Sequence, residues 1–270
     1  MISLITAAYG RSTIIKDLLS SLSIQTYKDF ELIIVDQNDH HEIESIIHDY
    51  KELSILYFRS EKKGLSYNRN IGLNNAHGDI IGFPDDDCHY APNLLEIVND
   101  KFSRNDASLK LVAVEVKDPK TGYTWIPKSG NLIRRRHLYE NCVSINFFVK
   151  RDESMAFDEL LGVGAIYGSG EETDFLWENF TENDYGLFVD DTCVYHLRQT
   201  GPVNDFRAYN YGLGYGAIFK KEILKRKHYY MCVYYLRGLI RSFGGIVLKK
   251  DRGLYYKSLK GRILGFLKYS

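Results

Sequence analysis

The sequence predicts an α/β fold: a mostly parallel sheet flanked by helices, followed by a basic helical extension. Three observations carry this expectation. Short, nearly all-apolar runs alternate with segments whose apolar residues recur at helical spacing, the pattern of repeated β-α units. The connections between them are short, which favours right-handed parallel crossovers. Two of the runs end in acidic clusters, putting charge at the carboxyl edge of the sheet, where open α/β sheets place ligands.

Residues 2–8, ISLITAA, read as a first strand, apolar almost throughout as in a parallel strand covered on both faces. Tyr9–Gly10–Arg11 turns the chain, and Ser12 or Thr13 can cap a helix over 14–24 whose apolar face is Ile14, Ile15, Leu18, Leu19 and Leu22. A second strand over 30–35 ends in Asp36–Gln37–Asn38–Asp39, and a helix over 42–51 leads to a third strand at 55–58. A helix over 66–76 precedes a strand at 79–83, a helix at 90–104 and a strand at 109–116. Beyond Asp118–Pro119 come loops and polar strands, then a strand at 144–149 and a helix from Glu171 to about Phe180. Apolar segments at 187–189 and 192–195 lead to His196. Gly212–Leu213–Gly214–Tyr215–Gly216 reads as a small-residue hinge before helical stretches at 217–227, 229–243 and 255–268.

Composition sets bounds. With 270 residues and 44% hydrophobic content, the chain can bury a real core, as one large domain or as a core with an addition. Four scattered cysteines with no CxxC pair form neither a disulfide framework nor a structural zinc site. No basic n-region precedes the first strand and no uncharged apolar run of membrane length appears, so a cytoplasmic location is expected. Net charge is zero but unevenly divided. From Lys220 onward, 14 Lys/Arg face two acidic residues, net +12, against net −12 before it. Interleaved with tyrosines, this extension has the composition of an interfacial attachment to anionic lipid. Docking on the chain's own acidic body is the alternative. Nucleic acid is not expected, because no recognised binding module accompanies the charge.

The stretch from Leu65 to His89 is the most informative. Asn68–Arg69–Asn70 and Gly72 precede the strand Ile80–Phe83, which delivers Asp85, Asp86 and Asp87. Three adjacent carboxylates call for a cation, and oxygen ligands suit Mg²⁺ or Mn²⁺ held jointly with substrate phosphates. A solvated acidic turn is the plain alternative. No GxGxxG follows the first strand, which argues against a dinucleotide site. Further on, Gly168–Ser169–Gly170 opens a helix on Glu171, Glu172 and Asp174, acidic residues that a helix N-terminus favours in any case. Trp125 can stack on a sugar or fill a core, and Arg134–Arg136 can meet an anionic acceptor or form a solvated turn.

Taken together, LITAAYGR, QTYKDFELIIVDQND, GLSYNRNIGLNNAHGDIIGFPDDD and GSGEETDF resemble a family 2 glycosyltransferase, in order and spacing as well as composition. The resemblance implies a Rossmann-like GT-A fold over 1–216, with a nucleotide-sugar half at 1–110 and an acceptor half at 111–216. The basic, membrane-associating region then covers 217–270. It implies inverting transfer from a nucleoside-diphosphate sugar, with UDP favoured, to a saccharide or lipid-linked oligosaccharide, on the inner face of the cell membrane. Tyr9 would pack near the base, Asp36 and Gln37 at the base or ribose, and Arg69 at the base or diphosphate. Asp85 and Asp86 would lie by the nucleotide. Asp87, with Asp85 and His196, would hold Mn²⁺ or Mg²⁺. Glu172 would be the general base, Glu171 would orient the acceptor, and Asp174 stands in reserve. The turn Ala7–Ala8–Tyr9–Gly10 lacks the family's usual hydroxyl and asparagine, and Gln37 replaces an aspartate. A catalytically silent sugar- or lipid-binding scaffold and a sugar-phosphate nucleotidyltransferase are the competing readings.

Overall fold

The computed structural model describes residues 1–10, 12–124, 131–197 and 204–270. Trp125, Arg11 and Arg198 lie outside the described residues. Two compact units interleave in sequence: the described parts of Met1–Lys63, Tyr67–Ala156 and Glu178–Gln199 form one, and those of Gly64–Ser66, Phe157–Trp177 and Thr200–Ser270 the other.

The first unit is built on a mixed sheet. Its strands are β1 (Ile2–Ala8), β2 (Phe30–Asp36), β3 (Ile55–Arg59), β4 (Ile80–Gly82), β5 (His89–Tyr90), β6 (Leu109–Lys117), β7 (Leu132–Ile133), β8 (Phe147–Lys150) and β9 (Tyr185–Tyr195). Their order is β3-β2-β1-β4-β8-β6-β9-β5, with β7 also paired to β9. β3, β2, β1 and β4 are parallel, as the β-α alternation requires, with helices α1 (Ile15–Ser23), α2 (Glu42–Ile47) and α3 (Leu65–Asn74) in the crossovers. β8 then runs antiparallel to β4 and β6, so the second half of the sheet is mixed. Two more helices, α4 (Leu94–Arg104) and α5 (Leu138–Asn141), belong to this unit. Every residue of β2 is buried, which accounts for its apolar run Leu32–Val35.

Some boundaries differ from the sequence reading for local reasons. The strand expected from 144 begins at Phe147, because Ser144–Asn146 form a 3-10 turn. The Asn146 side chain holds that turn, accepting from the Val143 N–H at 2.9 Å and donating to the Val114 carbonyl at 3.0 Å. The two expected segments before His196 are one strand, β9, which absorbs a register shift opposite Val114 and Glu115.

A buried polar knot ties the end of α3 to the sheet. Glu31 on β2 accepts from Ser3 Oγ at 2.5 Å and from the His77 N–H at 2.7 Å, while Ser3 Oγ accepts from the Gly78 N–H at 2.7 Å. Burial alone would raise the Glu31 carboxyl. The hydrogen bonds from Ser3 and from the His77 backbone and ring outweigh it and leave the group below the usual glutamate range. Its stabilisation is therefore full above that range and lost as pH falls through the lowered folded-state value. Glu31→Gln is expected to cost about 1–3 kcal/mol at neutral pH. The deficit, read from urea melts, should close as the buffer is taken into the acid range.

In the second unit, α6 (Glu171–Asn179, to Trp177) is joined by α7 (Asp205–Lys220), a π-helical turn at Lys221–Lys225, α8 (Cys232–Leu248) and α9 (Arg252–Lys268). Gly212–Gly216 is not a hinge but the middle of α7. Its glycines serve close approach rather than bending. A Cβ on Gly216 would lie 2.1 Å from the Arg262 carbonyl oxygen, and one on Gly265 of α9 would lie 2.0 Å from that of Leu213. Glycines four apart on both helices let the backbones touch. Gly216→Leu is expected to destabilise this packing by about 1–3 kcal/mol or more, read as a lowered urea midpoint. Within the same unit, the 20-residue stretch Tyr229–Leu248 is long and apolar enough to cross a membrane by length and composition alone. Arg237 and Arg241 interrupt it, so it is not an uncharged run in the sequence.

Candidate functional site

The first unit gathers polar groups where its parallel strands end. β1 and β2 run in register to Ala8 and Asp36, and Gln37 N–H donates to the Ala8 carbonyl at 3.0 Å. Tyr9 follows β1 with its ring 60% exposed, while the Lys63 ammonium lies 5.3 Å from the ring centroid. Asp36 is fully buried. One of its oxygens accepts from the Asn38 N–H and Nδ2, each at 2.8 Å, and the other from Tyr57 Oη at 2.7 Å. Burial, with Asp36 close by, pushes the Tyr57 hydroxyl well above its ordinary range and keeps it a donor. Asn38 in turn accepts from the Gly10 N–H at 2.6 Å, so Asp36 fixes the turn that carries Tyr9. Gln37 is buried beside it, and its carbonyl accepts from Lys63, which also reaches Asp39 at 2.9 Å. Lys63, Asn38 and Tyr57 escaped the sequence reading. The one signal was a basic pair, Lys62–Lys63, just beyond the third strand.

β4 ends beside β1, and its continuation makes the acidic turn. Gly82 allows the strand past Phe148, whose ring a Cβ there would meet at 2.7 Å. Thr6 Oγ1 then donates to the Pro84 carbonyl at 3.1 Å, and Cys88 N–H donates to the Asp85 carbonyl at 3.1 Å, closing the turn. Asp85 accepts from Arg69 Nη2 at 3.2 Å. Arg69 is itself almost wholly buried, its guanidinium 5.7 Å from the Phe83 ring centre. Pairing of β5 with β9 sets His89 against Tyr195, and the next residue, His196, places Nε2 3.1 Å from Asp87 Oδ1. The ligating atoms of Asp85, Asp87 and His196 lie within 4.8 Å of one another. Asp86 sits between them in the turn, half-buried.

The electrostatics of this cluster ask for positive charge. Confinement pushes the Asp85 carboxyl above the ordinary aspartate range; Arg69 opposes the rise and Asp87 adds to it. The side chain is nevertheless 41% exposed, so solutes can reach the carboxylate. For His196, burial disfavours the imidazolium, but the hydrogen bond to Asp87 and the charges of both carboxylates outweigh it and hold the ring above its usual range. Two carboxylate oxygens and an imidazole nitrogen also fit a divalent cation of the Mn²⁺ type.

The second unit holds the other acidic stretch. Gly170, at φ +88°, takes the left-handed conformation before α6 and leaves room for Ile218, which a Cβ would meet at 3.0 Å. Glu171 is buried near Gly162, whose φ of +97° and lack of a Cβ bring the chain against the Glu171 carboxyl and Ser66. Glu172 is half-buried. Asp174 is enclosed and pairs with Lys221 at 2.6 Å and Arg226 at 2.9 Å, cations that also bind Asp158 and Glu222. Its carboxylate is engaged in packing. Among the arginines noted in the sequence, Arg135 is buried in the first unit and donates to the Phe180 carbonyl, so it serves the fold.

The model of glycosyl transferase family 2 matches residues 3–157. An uncharacterized glycosyltransferase of Haemophilus influenzae is 31% identical over 214 residues, covering 76% of this chain and 72% of that protein. The glucosyl-dolichyl phosphate glucuronosyltransferase of Haloferax volcanii is 26% identical over 121 residues, covering 43% of this chain and 39% of that one. The chain spans less than half the length of that relative and of several others. Among solved structures, residues 1–349 of S. aureus TarS in complex with UDP-GlcNAc superpose with a TM-score of 0.73 at 16% identity, covering 98% of this chain and 81% of that one. At that identity the likeness speaks for the fold alone: a mixed sheet flanked by helices with a helical C-terminal extension.

Proposed function

This chain belongs to glycosyl transferase family 2, and we propose that it moves a sugar from a nucleoside-diphosphate donor, a UDP-sugar first among them, to a hydroxyl of a saccharide or lipid-linked saccharide, inverting the anomeric carbon. The observation that carries this reading is the cluster of Asp85, Asp87 and His196, with Arg69 against it, beside the strand ends that hold Tyr9, Asp36 and Gln37. Similar proteins support its terms: the TarS fragment is in complex with UDP-GlcNAc, and the Haloferax volcanii relative is a glucosyl-dolichyl phosphate glucuronosyltransferase.

In this reading the exposed Tyr9 ring stacks on the base, and Gln37 meets the base or ribose. Asp36, buried beneath them, holds Asn38 and Tyr57 rather than making the direct contact first expected. Asp85, Asp86 and Arg69 face the ribose and diphosphate. Asp87, Asp85 and His196 would hold Mn²⁺ or Mg²⁺, which when bound supplies Lewis-acid neutralisation of the leaving diphosphate. Arg69 adds fixed positive charge, and its burial means that no reorganisation is needed as the bond breaks. Glu172 takes the proton of the acceptor hydroxyl as that oxygen attacks the anomeric carbon, Glu171 orients the acceptor, and Asp174 keeps α6 in place. Transfer is assigned to 1–216 and attachment to 217–270, with the enzyme peripheral on the cytoplasmic face of the membrane that carries its acceptor.

The test is a panel of nucleotide sugars offered with Mn²⁺, Mg²⁺ or EDTA. One donor consumed only with metal, giving the opposite anomer in the product, upholds the reading. If none binds or turns over, the silent scaffold takes its place.

A further inference from the structure

We propose that α8 lies flat in the interface of an anionic membrane, with one named face inserted and the opposite face packed on its own unit. This deepens the membrane placement given above but rests on none of the transfer chemistry.

The face is defined by exposure. Tyr229, Val233, Leu236, Ile240, Phe243 and Val247 recur at alternating steps of four and three, one stripe along a helix, and each is more than half exposed. The opposite side is covered: Ser242 and Gly245 are buried, and Gly245 lies so close to Tyr255 of α9 that a Cβ would meet its ring at 2.1 Å. Gly238 abuts Tyr215 and Arg262 in the same way, and Tyr215 Oη donates to the Tyr234 carbonyl at 2.8 Å. One side of the helix is thus packed against its neighbours, and a long apolar stripe is left facing outward.

Three features choose a lipid surface as its occupant. Arg237 and Arg241 are exposed along one edge of the stripe, and Lys249, Lys250 and Arg252 follow its C-terminal end. That arrangement puts cations at headgroup depth when the stripe faces the acyl chains. The region from Lys220 onward carries net +12, which an anionic leaflet attracts and a second copy of the same region repels. Spanning is disfavoured by charge. Arg237 and Arg241 would sit near the centre of the hydrocarbon core.

The full chain is mixed with vesicles of phosphatidylcholine alone, or of phosphatidylcholine with phosphatidylglycerol, and the bound fraction is read by flotation. Binding is expected on the anionic vesicles, weakening as salt rises. Arg237→Gln with Arg241→Gln should reduce it about tenfold or more, each cation near the surface contributing roughly fivefold. Ile240→Glu with Phe243→Glu should abolish it. The far-UV spectrum and urea melts of each variant should stay those of the wild type, since all four side chains are exposed. Phe243→Trp should shift its emission to the blue on anionic vesicles only. The proposal is overturned by equal binding to neutral vesicles, by binding indifferent to the stripe, or by protease access to α8's two flanks from opposite sides of the bilayer. Concentration-dependent dimerisation without lipid, removed by Ile240→Glu, overturns it in favour of a second copy. Donor turnover in the same samples is scored separately, so failure here leaves the transferase reading standing.

Discussion

Glu172→Gln is expected to lower kcat for transfer by about 10²–10⁴-fold while leaving donor and metal binding near wild type. The acceptor hydroxyl is a poor nucleophile until its proton leaves, and the amide of glutamine keeps the side chain's size while removing its basicity. Glu172 lies in the first turn of α6, just beyond the left-handed Gly170, and is only half-buried. Asp174→Asn is the informative contrast. Removing its charge strips two partners, Lys221 and Arg226, in an enclosed cluster. Its cost should therefore appear in the urea midpoint, as breaking a buried pair does. A wild-type rate in Glu172→Gln would remove Glu172 from the reaction, and the same test on Glu171→Gln would then decide between a neighbouring base and none.

Asp87→Ala is expected to abolish metal-dependent donor binding and to reduce turnover by about three orders of magnitude. That is the scale on which loss of several kcal/mol of charge neutralisation acts. Asp87 is the group that joins the acidic turn to His196, at 3.1 Å, and without it the imidazole loses its main anionic partner. Raising the metal concentration should recover little, because Asp85 and His196 alone offer two ligand groups from different segments. Equal donor affinity in wild type and Asp87→Ala, with or without EDTA, would mean that the acidic turn is a solvated surface feature.

Much of the parallel half of the sheet was legible in the sequence because its signals are local. The apolar run at 2–8 is β1 to the residue, and the second and fourth runs are strands that do end in acidic residues, Asp36 and the turn of Asp85–Asp87. What was not legible depended on partners distant in sequence. Gly212–Gly216 looks like a hinge until α9 is laid against it, since the reason for those glycines is a backbone some fifty residues away. Asp36 reads as a nucleotide contact until Tyr57 and Asn38 are found on its two oxygens. Arg135 reads as part of a basic turn until its guanidinium is found buried against the Phe180 carbonyl. His196 was reachable only through the resemblance, because nothing near it in sequence points to Asp87. The pairing of β5 with β9 supplies the reason.

The most direct measurement is calorimetric titration of UDP into the wild-type chain with Mn²⁺, with Mg²⁺ and with EDTA, repeated on Asp87→Ala and His196→Ala. Metal-dependent binding that Asp87→Ala loses and His196→Ala weakens is the result expected of a nucleoside-diphosphate site built on this cluster. Binding of the same strength in EDTA, or unchanged in both variants, would contradict it and detach the acidic turn from the donor.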